Sequence, residues 1–213
     1  MSDAKKLEKF YSTEQGKIFS WFLRREVSKA IASENKIIGL GYTAPYHLPN
    51  CVNLSTEKAK NSVQISEAQL PLRNAELKQI IAIHYLENSA TPMLALQEIY
   101  RVLEPAGSLI LIVPKQNSLW KKTAIIGKES WTQRQIIEML IANKFHIHKV
   151  RQAIFHPPAL TSPLAKLFNY LPFFGAVNIY YAQKTIFPNR GKPIKTSTSL
   201  RDWVLSKKKI AQA

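Results

Sequence analysis

Three runs of continuous apolar residues constrain the fold of this chain more than any other feature. They cover residues 36–41, 78–84 and 108–113, and each ends at a glycine, a histidine or just before a proline. A strand buried on both faces carries such a run, whereas a strand with one solvent-exposed face alternates apolar and polar residues. The runs therefore predict strands of a buried, mostly parallel sheet.

Helical patterns separate these strands. The first predicted helix covers 7–34, with Gly16 as its candidate interruption. The second starts at Thr91-Pro92, because threonine is a good N-cap and proline suits the first helical position. The residues expected to face the core are Leu7, Phe10, Ile18, Phe22 and Val27 in the first helix and Met93, Leu96, Tyr100 and Leu103 in the second.

A third helix is predicted after Thr132, which forms a Thr-x-x-Gln capping box with Gln135. Asn143 is expected to end it, because asparagine tolerates the left-handed conformation. Its expected core residues are Ile136, Ile137, Leu140 and Ile141.

Two further strands are predicted at 145–150 and 177–182, on either side of an aromatic, proline-rich insertion at 155–174, while 43–64 reads as irregular. Strands separated by helices imply a parallel sheet with right-handed crossovers, hence an α/β fold. Ligands of such sheets bind beyond the carboxyl ends of the strands. Those ends are expected at 39–42, 84–87 and 114–117.

The net charge of +16 is the unusual bulk property. Residues 186–213 hold seven lysines and arginines against Asp202 alone, so we expect a basic C-terminal tail. Such a field attracts phosphate groups, either of RNA or of an anionic membrane surface. A solvated basic surface without a specific partner is the alternative.

A cytoplasmic location is expected from the cysteine count and the amino-terminal residues. The single cysteine, Cys51, excludes an intramolecular disulfide, and no apolar signal segment follows Met1. No membrane span is expected, because the longest uncharged late stretch, 167–183, is interrupted by asparagine, proline and glycine.

No metal site is expected either. His146 and His148 share a strand face, which two metal ligands can do, but no third ligand is apparent. The chain also lacks the G-x-S-x-G motif of serine hydrolases and the G-x-x-x-x-G-K-[ST] phosphate-binding loop.

The segment from Leu70 to Gly107, which contains the second apolar run, carries a family resemblance. It reads Leu70-Pro71-Leu72, then Ile80 to Glu87 as IIAIHYLE, then Ala95 to Gly107 as ALQEIYRVLEPAG. This resembles class I S-adenosylmethionine (SAM) methyltransferases, and in pattern the UbiE-like "methyltransferase domain 11" type. The specific part covers about residues 65–115, and a weaker resemblance reaches from Phe10-Tyr11 to Ala182.

The resemblance implies a Rossmann-like class I methyltransferase sandwich over residues 1–185, with helices on both faces, followed by the tail at 186–213. It implies SAM as the cofactor. The residues that would bind it are Gly39, Leu40, Gly41 and Tyr42 in the first strand–loop segment, Glu67, Ala68 and Gln69 near the adenine, His84 and Tyr85 at a second strand end, and Tyr11 closing over the cofactor.

The cofactor loop departs from the family's acid-then-G-x-G-x-G pattern, in which the acid helps to hold the charged amino-acid end of SAM. Only Gly41 stands on a motif glycine; Gly39 replaces the acid, and Thr43 and Pro45 replace the other two glycines. Few residues separate this loop from the next predicted contact at Glu67. We therefore expect a shortened second βα unit.

The sequence thus predicts a SAM-dependent methyltransferase with an unknown methyl acceptor and His84 as its candidate base. The alternative is a catalytically inactive, methyltransferase-like binding or scaffold protein that engages RNA or an anionic membrane surface. For single residues plainer roles stay open: a solvent-facing Glu67, a polar strand-end His84 and a core-packing Tyr11. The sequence does not indicate the oligomeric state.

Overall fold

A computed structural model of the protein describes residues 3–31, 37–56, 62–66, 69–115, 131–153 and 176–185. Two single 3₁₀ turns occur at Ala44–Tyr46 and Leu86–Asn88. The helices and strands, in chain order, are α1 (Asp3–Ser12), α2 (Glu14–Ser28), β1 (Ile37–Gly41), β2 (Cys51–Ser55), β3 (Val63–Gln64), β4 (Leu77–Ile83), α3 (Pro92–Val102), β5 (Leu103–Pro114), α4 (Gln133–Ala142), β6 (Phe145–Ala153) and β7 (Val177–Lys184).

The strands form one sheet of seven in the order β3-β2-β1-β4-β5-β7-β6. β1 to β5 pair in parallel, and β7 lies antiparallel between β5 and β6. The chain runs outward from β1 to β3 and then crosses to β4 on the other side of β1. Strand order therefore reverses between β1 and β4, which is where open α/β sheets bind ligands. The mostly parallel α/β sheet is confirmed.

Both faces of the sheet are buried, which explains the continuous apolar runs. Successive residues of β4 point to opposite faces of the sheet. Ile80 and Ala82 pack in the core under α3 and α4, while Ile81 and Ile83 pack in the core under α1 and α2. Helices therefore cover both faces, as expected.

The predicted helix over 7–34 is two helices. Thr13 lies between them in an extended conformation, and its side chain accepts a hydrogen bond from the backbone of Gly16, which caps α2. Gly16 sits inside α2, where a Cβ would come 2.2 Å from the carbonyl oxygen of Phe10. The break thus falls at Thr13, and the glycine instead lets the end of α1 pack directly against α2.

Several outward-facing residues were predicted as core. Ile18, Met93 and Ile141 are 46%, 39% and 54% exposed. In each helix the buried residues lie on a neighbouring stripe, since the facing sheet selects one side of a broad apolar surface. The buried sets are Phe19, Leu23 and Val27 in α2, Ala95, Leu96, Ile99 and Val102 in α3, and Ile136, Ile137 and Leu140 in α4.

The caps of α3 and α4 agree in part with those predicted from the sequence. Thr132 and Gln135 form the reciprocal capping box. Thr91 is the N-cap of α3, yet its side chain makes no capping hydrogen bond, and Pro92 begins the helix. The left-handed residue after α4 is Lys144, with φ 61°, and not Asn143.

The segment 43–64, predicted as irregular, contains β2 and β3. Between β1 and β2, residues 42–50 are all described, and they form one 3₁₀ turn and no α-helix. Residues 56–62 alone join β2 to β3. No helix in the described part of the chain is both long and apolar enough to cross a bilayer.

Candidate functional site

The carboxyl ends of β1 and β4 meet at the point where strand order reverses. Gly41 pairs with Ile83, and the backbone N–H of Tyr42 donates to the carbonyl of Ile83 at 2.8 Å. Gly41 has φ 82°, and a Cβ there would lie 2.4 Å from the Ile83 oxygen. Only glycine fits this close approach, which turns the chain out of β1. The region beyond the ends of β1 and β4, bordered by Tyr11, Tyr42, Tyr46 and His84, is called the crevice below.

His84 follows β4 directly and ends the strand with a left-handed conformation, φ 52°. Such a conformation costs a non-glycine residue about 1–3 kcal/mol and persists only where its surroundings hold it. Here Asn88 donates from Nδ2 to the His84 carbonyl at 2.8 Å. The turn directs the imidazole into the interior, where His84 is 2% exposed.

Both nitrogens of this imidazole have side-chain partners. Nδ1 lies 2.8 Å from Oε1 of Glu87, and Nε2 lies 2.8 Å from the hydroxyl of Tyr11. The Glu87 carboxylate can only accept, so we assign the ring proton to Nδ1. In the tautomer that carries its proton on Nδ1 alone, Nε2 accepts a hydrogen bond from the Tyr11 hydroxyl.

Tyr11, Tyr42 and Tyr46 line the same crevice. Tyr11 stacks on Tyr42 with ring centroids 5.4 Å apart, and its hydroxyl is hydrogen-bonded to that of Tyr46. Burial raises the pKa of Tyr11 well above its ordinary value, and Tyr46 and then Glu87 raise it further. Burial also raises the pKa of the Tyr46 hydroxyl. Both phenols therefore stay protonated and donate along a chain from Tyr46 through Tyr11 to His84.

Tyr42 is the most solvent-exposed of these three tyrosines. It is half-buried, whereas Tyr11 and Tyr46 are 7% and 0% exposed. Burial, with Glu8 as a smaller cause, raises the pKa of Tyr42 to about 12. Its ring offers a stacking surface and a neutral hydroxyl at the rim of the crevice.

Glu87 is 1% exposed, and only one of its carboxylate oxygens is satisfied. Oε1 accepts from His84, while Oε2 has no hydrogen-bond partner among the residues that the structure describes. A buried carboxylate oxygen without a donor is costly and rare in native proteins. The crevice thus holds an unused acceptor next to the His84 imidazole.

Gly39 lies two residues before the end of β1, and its side-chain space is occupied. A Cβ there would lie 2.6 Å from Thr43 Oγ1 and 2.9 Å from Cys51 Sγ. Thr43 is itself fixed by a 2.7 Å hydrogen bond from its hydroxyl to Asn53 Oδ1. An acidic side chain at position 39 would therefore displace this cluster.

The remaining predicted site residues are spread over the fold. Leu40 and Tyr85 are buried in the core under α3 and α4, so only their backbone atoms are available to the crevice. Gln69 is exposed and forms an isolated bridge with Ser66, while Glu67 and Ala68 lie outside the described residues.

The segment after Gln69 is held by long-range hydrogen bonds from an ion pair on α3. Glu98 and Arg101 form the pair that their spacing predicts, with two 2.8 Å contacts. Glu98 also accepts from the backbone of Leu70, and Arg101 donates to the carbonyls of Leu70 and Leu72. The pair therefore anchors the chain that enters β4.

Sequence reasoning did not assign roles to Tyr46 and Glu87. Tyr46 is separated from Tyr11 by 35 residues, so no local pattern links their hydroxyls. The sequence does contain an indication for Glu87, because Glu87 follows His84 by three residues at a strand end. A histidine and a carboxylate at that spacing can meet in one turn of chain.

Among the described residues no group of three histidine, cysteine, aspartate or glutamate side chains is arranged to hold a metal ion. His146 and His148 lie 4.7 Å apart between ring centroids, as a shared face requires. His148 uses Nε2 in a 2.8 Å hydrogen bond with Gln183.

Residues 43–111 match the family model of a methyltransferase domain. This segment runs from the turn after β1 into β5 and contains Glu87, His84 and the Glu98–Arg101 ion pair. No curated protein matches the chain by sequence.

Solved structures with the same fold include a SAM-dependent methyltransferase from Aquifex aeolicus, 15% identical, with a TM-score of 0.60 over 86% of this chain and 99% of that one. A second, from Archaeoglobus fulgidus, is 11% identical, with a TM-score of 0.60 over 83% and 97%. A third is the [4+2]-cyclase SpnF, 14% identical, with a TM-score of 0.53 over 78% and 80%. The chain thus has the Rossmann-like fold of class I methyltransferases, and a cyclase among its neighbours means that the fold alone does not fix the reaction.

Proposed function

We propose that this protein is a SAM-dependent methyltransferase of the UbiE-like type that acts on a still unidentified acceptor. Two features that occur at the same place in the fold support the proposal. The segment that matches the methyltransferase domain begins two residues after β1 ends and contains the carboxyl end of β4, and the sheet order reverses between these two strands. A buried His84–Glu87 pair, with Nδ1 2.8 Å from Oε1, lies at that point, which is where open α/β sheets bind ligands.

The groups at the ends of β1 and β4 suit a cofactor that carries positive charge. Residues 41–46 and 84–88 contain no lysine or arginine, and they supply aromatic rings, hydroxyls and the unsatisfied Oε2 of Glu87. In this proposal Gly41 and Tyr42 border the cofactor, with Gly39 and Leu40 contributing backbone only. The adenine contacts come from Glu67, Ala68 and Gln69, and His84 and Tyr85 lie near the reacting end.

SAM, when bound, supplies a methyl group activated on a sulfonium. Positioning of the acceptor accounts for much of the rate in such transfers. The chain's own contribution is His84, whose Nε2 accepts a proton while Glu87 holds Nδ1. An acceptor hydroxyl that replaced the Tyr11 hydroxyl at Nε2 would deliver its proton there.

Isothermal titration with SAM and S-adenosylhomocysteine tests the proposal. We expect saturable binding of both ligands at one site per chain. Absence of binding at millimolar ligand would contradict it. Transfer of a tritiated methyl group from SAM to fractionated cell extract would then identify the acceptor class.

An inactive, methyltransferase-like binding protein is the second candidate. It is favoured by the mutual burial of Tyr11, Tyr46, His84 and Glu87, whose polar groups hydrogen-bond to one another. This candidate predicts that no extract fraction accepts a methyl group, even where the ligand binds. Methyl transfer to any component would exclude it.

A further inference from the structure

One carboxylate oxygen of Glu87 has no hydrogen-bond donor in the part of the chain that the structure describes. Oε1 orients His84 at 2.8 Å, and Oε2 has no donor among the described residues although the side chain is 1% exposed. Leaving a charged acceptor buried and unpaired costs more than the bond itself would contribute. The arrangement is therefore complete only when a donor, preferably a cation, occupies the space beside Oε2.

The position of Glu87 restricts what that donor is. β1 and β4 are adjacent, and Gly41 pairs with Ile83, four residues before Glu87. Glu87 thus follows the strand next to the one that carries Gly39, where the resemblance places the acid for the amino-acid end of SAM. Thr43 and Cys51 fill the space at Gly39, so an acid cannot be accommodated there without a shift.

We propose that Glu87 binds the α-ammonium group of the cofactor's methionine moiety through Oε2, so that the carboxylate expected after β1 is supplied from the end of β4. This inference rests on the proposed function. The two oxygens of the carboxylate then have separate roles, because Oε1 orients His84 and Oε2 accepts from the ligand. Glu87 is a binding and positioning residue, and it takes no part in bond making.

The occupant must also displace Tyr11 in part. The Tyr11 hydroxyl lies 2.8 Å from His84 Nε2, and Glu87 is close enough to raise the pKa of that phenol. A cation beside Glu87 would therefore enter the space now bordered by the Tyr11 ring.

The test compares two ligands on Glu87→Gln. S-adenosylhomocysteine carries the α-ammonium group, whereas 5′-methylthioadenosine keeps the nucleoside and thioether but lacks the amino-acid end. Glutamine keeps the shape and an acceptor for His84 but removes the charge. We expect affinity for S-adenosylhomocysteine to fall about tenfold or more, as for loss of a charged hydrogen bond, and affinity for 5′-methylthioadenosine to stay unchanged.

The control is Glu138→Gln, on the exposed face of α4, which should alter neither affinity. Retained binding of 5′-methylthioadenosine also reports that the Glu87→Gln crevice is folded. Equal affinity of wild type and Glu87→Gln for S-adenosylhomocysteine would overturn the inference, and so would an equal loss for both ligands, which would indicate a structural role. If the wild type bound neither ligand, the proposed function itself would fail, and the inference with it.

Discussion

At the scale of single residues, the Glu98–Arg101 pair shows which contacts local spacing predicts. Residues three apart on a helix are neighbours, so their pairing follows from the sequence. The bonds from Arg101 to the carbonyls of Leu70 and Leu72 span 29 to 31 residues and are set by the tertiary fold. A predicted surface pair is thus also the anchor of the segment that enters β4.

We predict that Glu98→Gln lowers the free energy of unfolding by about 1 kcal/mol at pH 7, since a partly exposed charged hydrogen bond is lost. The hydrogen bond from Arg101 lowers the pKa of Glu98 in the folded state. Its stabilisation is therefore full above the unfolded pKa and is lost as pH falls through the folded one. Urea unfolding of both proteins at several pH values should show the difference shrinking in acid.

The matched control is Glu138→Gln, which removes the exposed pair with Arg134 and should change stability very little. A difference between wild type and Glu98→Gln that stays constant into strong acid would contradict the role given to this pair.

The candidate site was predictable at the residue scale only where a residue follows a strand end. Tyr42 and His84 could be placed this way, and the structure brings both into contact with Tyr11. Tyr85 was placed by the same rule, but its side chain points into the opposite core because neighbouring positions alternate. Tyr46 could not be linked to Tyr11, since only the packing of α1 against the sheet brings them together.

At the scale of elements, strands with continuous apolar runs were predictable and short polar ones were not. β1, β4 and β5 are buried on both faces, so their sequences carry the signal. β2 contains Asn53 and has partly exposed positions, so it reads as irregular chain. The break at Thr13 was missed because threonine fits a helical pattern, and only its capping contact with Gly16 shows the boundary.

The packing of α1 against α2 holds Tyr11 over the crevice, and Gly16 permits that packing. Gly16→Ala would bring a Cβ to 2.2 Å from the Phe10 carbonyl oxygen, so we predict that α1 is pushed off α2. Hydrogen exchange measured by mass spectrometry should then accelerate in residues 5–12, with β4 and β5 unchanged. Overpacking of this kind typically costs about 1–3 kcal/mol.

Lys17→Ala is the control for that experiment, because Lys17 is the next residue of α2 and its side chain is exposed. It should leave exchange in α1 unaltered. Unchanged exchange in Gly16→Ala would mean that α1 does not depend on this close approach.

At the scale of the whole molecule, the charge of +16 remains the property that the fold does not explain. We predict that residues 186–213, which lie outside the described residues, act as a basic tail that binds RNA or anionic vesicles, because they hold seven basic residues and one acid. Deleting it should abolish binding that weakens steeply with added salt. Fluorescence anisotropy with labelled RNA and co-sedimentation with phosphatidylglycerol vesicles measure the two cases.

An exposed apolar face of α2 provides the contrasting outcome. On α2, Trp21 is 56% exposed with the Arg25 guanidinium 5.8 Å from its ring centroid, and Ile18, three residues before it, is 46% exposed. Binding that survives deletion of the tail but is lost in Trp21→Ala would move the contact from the tail to this helix face.

The proposed binding of SAM where β1 and β4 end can be tested with a crystal structure grown with millimolar S-adenosylhomocysteine. We predict ligand density bordered by Gly41, Tyr42 and His84, with the Tyr11 hydroxyl displaced from His84 and the ligand's ammonium beside Glu87. Crystals grown under these conditions that kept the Tyr11–His84 hydrogen bond and showed no ligand at these strand ends would contradict it.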